Sequence, residues 1–98
     1  MDLGKVIGTV VATRKDEKLE GTKLQVVQIV DLHANPKDSF VIAVDSVGAG
    51  QGEIVLCARG SSARMTKATE NRPVDAVIMA IVDLIEVNGE ICYEKHKA

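Results

Sequence analysis

Apolar residues in this chain fall in short runs rich in Val and Ile, separated by Gly, Pro, Asn, Asp and Ser. Short β-branched runs with turn residues between them predict strands, not helices. A first strand is expected over residues 3–13, carrying Val6, Ile7, Val10 and Val11. Residues 14–21 mix basic and acidic side chains and end in Gly21, the pattern of a solvated loop. In the next run Leu24, Val26, Val30 and Leu32 occupy even positions while Val27 and Ile29 occupy odd ones. That strand is apolar on both sides, as expected where one face meets the core and the other meets a neighbour. Residues 33–39 around Pro36 read as a turn, 40–45 as a third strand and 53–58 as a fourth. Ser61 or Ser62 is placed to cap a short helix over 62–68. Residues 74–87 are apolar enough for a buried helix or a long strand, and strand is favoured because Val, Ile and Leu dominate 78–87 and Asn88-Gly89 follows, both residues tolerating positive φ in a tight hairpin. Residues 90–95 are the return strand, with Ile91 and Tyr93 on one face. The fold class expected is all-β: a small five-stranded barrel with a short helix and a C-terminal hairpin surplus to the barrel, since closing a small sheet removes its exposed edges. A surplus apolar arm suggests packing on another subunit.

Composition narrows the function. Ninety-eight residues suit one domain, which buries roughly two thirds of the unfolded chain's surface. Lys plus Arg is 12 against 14 for Asp plus Glu, a formal charge of −2. Binding nucleic acid or an anionic membrane requires a basic surface that releases counterions, so neither is expected as a partner. Phe40 and Tyr93 are the sole aromatics, too few for a base-stacking platform. The longest apolar run, residues 76–82, is far short of a membrane span. The N-terminal stretch lacks the basic start and unbroken apolar core of a secretory signal, so a cytoplasmic location is expected. Cys57 and Cys92 have no ligand spacing around them, and each is read as a small buried hydrophobe.

The chemistry-bearing motifs are few. Gly48, Ala49, Gly50, Gln51, Gly52 and Glu53 form a glycine loop spaced G-x-G-x-G and followed by a strand. A dinucleotide loop needs G-x-G-x-x-G and a helix after it, so phosphate binding is disfavoured. The glycines are better explained by tight turns or close backbone approach, including several copies of the loop crowding around a symmetry axis. In Gly60-Ser61-Ser62-Ala63-Arg64 no G-x-S-x-G spacing is present and only His33 and His96 could serve as base, so serine catalysis is not expected. Arg64 is expected to contact a carboxylate or carbonyl at an interface. His33 is read as a turn residue, and Asp31, Asp45 and Asp83 as turn or strand-end residues in preference to a cation site. No enzyme activity, cofactor or metal follows from these residues.

Four ordered segments nevertheless resemble the EutN/CcmL family of bacterial microcompartment vertex proteins. They are Gly4-Lys5-Val6-Ile7-Gly8-Thr9-Val10-Val11-Ala12-Thr13; Val44-Asp45-Ser46-Val47-Gly48-Ala49-Gly50-Gln51-Gly52-Glu53-Ile54-Val55-Leu56; Gly60-Ser61-Ser62-Ala63-Arg64; and Pro73-Val74-Asp75-Ala76 leading to Ile81-Val82-Asp83. The resemblance implies a single domain over residues 1–98, an OB-like barrel to about residue 87 and an extension from about 88. It implies a structural role: a homopentamer that caps the vertices of a cytoplasmic polyhedral shell and docks against hexameric shell proteins. It also places the 48–53 loop with Ser61, Ser62 and Arg64 near subunit contacts and the five-fold axis. Five copies of Glu53 there would repel unless paired, so Arg64 or a backbone N–H is expected as its partner. The competing reading is an OB-type binding module for a small ligand or single-stranded nucleic acid.

Overall fold

The computed structural model describes residues 1–96; residues 97 and 98, the end of the expected extension, lie outside the described residues. The described residues form seven strands: β1 (Asp2–Val10), β2 (Leu24–Val30), β3 (Pro36–Asp45), β4 (Ile54–Arg59), β5 (Ala76–Ile81), β6 (Leu84–Val87) and β7 (Glu90–Glu94). The first five close a barrel in the order β1-β2-β3-β5-β4. All its neighbours are antiparallel except β3 and β5, which run parallel through Val44↔Val77 and Asp45↔Ile78. No described helix is long and apolar enough to cross a membrane.

Odd positions of β2 face the barrel interior. Gln25, Val27 and Ile29 are buried, while Leu24, Val26 and Gln28 on the even face are half-buried. The core has two parts. One gathers Val6, Val27, Ala43, Ala49, Val55, Cys57, Ala76 and Ile78. The other gathers Val44, Ala58, Ala63, Val74 and Val77. Small side chains dominate because a five-stranded barrel leaves little room inside. The tightest point is Gly4 against β2: a methyl group there would collide with Val27 Cγ1 and come within 3.2 Å of the Gln28 carbonyl oxygen. A bulge between Val6 and Gly8 bends β1 so that it can pair with both β2 and β4.

Four expectations need correction. The first strand stops at Val10, where its last partner on β2 is Leu24, and Val11 beyond it is exposed. The third strand starts earlier, at Pro36 paired with Val30; a proline tolerates the first position of a strand because no ladder donor is needed there. The turn shrinks accordingly, with the Asp31 carboxylate accepting the His33 and Asn35 amides at 2.9 Å.

The short helix expected over 62–68 is a 3-10 helix that lies earlier, Gly60–Arg64. Beyond it the Thr66 and Thr69 hydroxyls bond each other at 2.6 Å and the Thr66 amide donates to Thr69, side-chain bonding that competes with helix propagation. Last, the long strand over 78–87 breaks at Val82 and Asp83. Residues on one side stay in the barrel as β5; those on the other form β6, which pairs only with β7, so the extension begins at Leu84 instead of residue 88. The turn between them has positive φ at both Asn88 and Gly89, as that dipeptide predicts.

Candidate functional site

The glycine loop joins β3 to β4, and every residue in it is tied down. Asp45, the last residue of β3, accepts the amides of Val47 and Gly48 on one carboxylate oxygen at 3.0 and 2.9 Å. The Ser46 hydroxyl donates to the Ile78 carbonyl. Gln25 Nε2 donates to the Ala49 carbonyl at 3.1 Å. The Gly50 amide donates to Glu53 Oε1 at 2.5 Å, and Gln51 Nε2 donates to the Ile7 carbonyl at 3.2 Å. Gly52 and Glu53 extend the pairing with β1: the Gly52 amide donates to Val6 O, and the Val6 amide donates to Glu53 O.

The three glycines answer to different constraints. Gly48 and Gly52 have φ of +76° and +89°, a region that costs other residues roughly 1–2 kcal/mol. Gly50 has no positive φ; there a methyl group would approach Glu53 Oε1 to 3.2 Å. The glycines therefore make a stiff loop, not a slack one.

Gln25 is the residue that sequence reasoning missed. Its side chain is 2% exposed, yet fully bonded: Thr9 Oγ1 donates to Oε1 at 2.9 Å, and Nε2 reaches both Ala49 and, at 3.4 Å, Asp45. The available signal was a polar residue on the odd, core-facing side of an apolar strand.

Glu53 has two partners. Besides the Gly50 amide, one of the expected kinds, it holds Lys95 Nζ at 2.5 Å from Oε2. Arg64 is not its partner. The Lys95 ammonium and then the Gly50 amide hold the Glu53 carboxyl below its usual range, and the same carboxylate holds Lys95 above its own.

The Gly60–Arg64 turn is a separate structure. Gly60 takes φ +69° and its amide donates to Asp75 O. Ser62 caps nothing; its hydroxyl donates back to the Arg59 carbonyl at 2.7 Å. Ser61 is exposed. Arg64 Nη1 donates to the Val74 carbonyl at 3.1 Å, binding the turn to the segment before β5. Among the described residues no hydrogen bond or ion pair joins this turn to the glycine loop. Asp31, Asp45 and Asp83 stand apart, and no described group of three His, Cys, Asp or Glu could hold a metal. A surface groove of about 530 Å³ near Leu3, Ile29, Leu32, His33 and Lys37 holds one imidazole, and its two carboxylates are already committed, Asp31 to backbone amides and Asp2 to Arg59.

Comparison with known proteins gives these features a setting. Residues 1–83 match the family described as ethanolamine utilisation protein EutN/carboxysome. The chain is 48% identical over 96 residues to the carboxysome shell vertex protein CcmL of a Nostoc species, covering 97% of this chain and 95% of that one. The CcmL structure from Gloeobacter violaceus superposes with a TM-score of 0.94 at 40% identity, over 99% of this chain and 100% of that one. The pentameric microcompartment shell protein GrpN from Rhodospirillum rubrum superposes with a TM-score of 0.82 at 49% identity, over 89% and 99%. A matched family spanning most of the chain, close superposition and sequence likeness over nearly full length lead to one conclusion: this chain belongs to the EutN/CcmL family.

Proposed function

We propose that the chain is a shell vertex subunit of a bacterial microcompartment, with five copies joined head to tail in a closed ring. The observation that carries this reading is its likeness in sequence and fold to the pentameric shell protein GrpN. The chain's own features support it. A heterologous ring brings two different faces of each subunit together, and β2 is apolar on both of its faces. Phe40 and Ile42 on β3 and Leu84 and Ile91 on the hairpin are large apolar side chains left exposed by the single chain. A stiff glycine loop, Gly48 to Glu53, suits a rim where five copies meet. Ser61, Ser62 and Arg64 on the neighbouring connection are assigned to subunit contacts in the same reading.

The shell and hence the protein lie in the cytoplasm, and hexameric shell proteins are its lateral partners. Five copies carry a formal charge of −10, five times −2, so docking to those partners depends on local shape and pairing. Catalysis has no part in the role: neither glycine segment presents a nucleophile beside a base. The binding-module alternative is disfavoured by the acidic balance and by aromatics at 2% of residues.

Native mass spectrometry tests the assembly. Five times the 10.5 kDa chain mass is expected, and co-expression with hexameric shell proteins is expected to close shells that stay open without it. A chain that remains monomeric at high concentration and leaves those shells open overturns the proposal.

A further inference from the structure

The C-terminal hairpin leaves the barrel after a two-residue break and pairs with none of its strands. A two-stranded hairpin has little stability of its own, so something must set its angle. Two backbone hydrogen bonds mark the departure point: the Val82 amide donates to Ile54 O at 2.8 Å, and the Lys95 amide donates to Asp83 O at 2.9 Å. Both allow rotation of what lies beyond them. The side-chain tie is Glu53 to Lys95, whose side chains are only 22% and 26% exposed.

We propose that Glu53 is a positioning residue that sets the angle of the C-terminal arm, by fastening Lys95 at the arm's end to the Gly50 amide of the glycine loop. One carboxylate serves both: Oε1 accepts from the loop and Oε2 from the arm. The backbone of Glu53 cannot yield, because its carbonyl is paired with β1 and its amide with Gly50. The loop cannot yield either, since Asp45 and Gln25 hold it from the other side. The other charged groups facing the tie are Asp45, which opposes the charge on Glu53, and Asp83, which favours the charge on Lys95. Shielded, charge-assisted and bonded at both oxygens, the pair is stronger than an ordinary surface ion pair. Both partners belong to one chain.

The test uses the full chain and reads the hinge directly. Amide hydrogen exchange is followed at Val82 and Lys95, with the barrel amide of Val27 as control, and the fluorescence anisotropy of Tyr93 reports arm motion without a label, there being no tryptophan. In Glu53→Gln and in Lys95→Met the two hinge amides are expected to exchange roughly three- to tenfold faster, with lower Tyr93 anisotropy and Val27 unchanged. The double variant is expected to add nothing further, and Lys95→Arg to restore the wild-type rates. Unchanged hinge amides in both single variants overturn the proposal. So does acceleration that reaches Val27 equally, since Glu53 would then act on the whole fold. Lys95→Met alters only a surface side chain near the chain's end and keeps the test decisive if Glu53→Gln does not fold. Pentamer formation with no hinge effect refutes this inference alone; a hinge effect in a monomer refutes only the assembly.

Discussion

Gln25 donates a hydrogen bond to the carbonyl of Ala49 across 3.1 Å, joining the buried face of β2 to the middle of the glycine loop. Its carbonyl oxygen is simultaneously taken by the Thr9 hydroxyl of β1. Replacing it by Leu keeps the approximate size but strands Ala49 O, while the exposed Thr9 hydroxyl can turn to water. A buried acceptor left without a partner costs about 1–3 kcal/mol of stability. Gln25→Leu is expected to lower the urea midpoint accordingly with the slope unchanged; an unmoved midpoint would show that the network contributes nothing net.

Gly4→Ala tests the tightest contact of the barrel. The added methyl meets Val27 Cγ1 on one side and the Gln28 backbone on the other. Overpacking of this kind costs about 1–3 kcal/mol. Gly50→Ala should cost less, because its obstacle is the end of the Glu53 side chain, which can shift. Thermal unfolding of the two variants is expected to rank Gly4→Ala as the more harmful.

Cys57 is fully buried in the core, and burial pushes its thiol up to about 11. The thiolate is the reactive species, and almost none exists near pH 8. Peptide mapping after treatment with iodoacetamide at pH 8 is expected to find Cys57 unmodified in the native protein and modified once guanidinium unfolds it. Rapid native labelling of Cys57 would place it outside the core.

The tie between Glu53 and Lys95 also sets a pH window. Glu53 titrates below its ordinary 4.5 in the folded chain, so its contribution is present above that value and is lost as pH falls through the folded value. Lys95 titrates above its ordinary 10.5, so its contribution is present below 10.5 and disappears only as pH rises through the folded value. Tyr93 anisotropy is expected to hold level from pH 7 down to about 4.5 and then to step down. Lys95→Met should lack the acid step; an identical step in that variant would assign it elsewhere.

What the sequence made legible was local. Asn88-Gly89 could be read as a hairpin turn because its backbone needs, positive φ twice, are written in the residue types themselves. The alternation of β-branched residues likewise disclosed a closed all-β sheet. Contacts between distant positions were hidden. Lys95 meets Glu53 only because the chain breaks at Val82 and Asp83, and an acidic residue ending an apolar run was the one sign of that break. Gln25 was overshadowed by the apolar even positions beside it, although the odd ones face the core. Ser61 and Ser62 suggested a helix cap, but the threonines that follow bond one another.

The sealed barrel has a bearing on solubility. Every barrel strand has a neighbour on both sides, with β3 and β5 meeting only through Val44↔Val77 and Asp45↔Ile78, while β6 and β7 pair only with each other and leave two open rims. Those rims are four and five residues long. Such rims invite runaway ribbon growth, the standing hazard of proteins made of strands, and each carries acids that discourage it: Glu86 on one, Glu90 and Glu94 on the other.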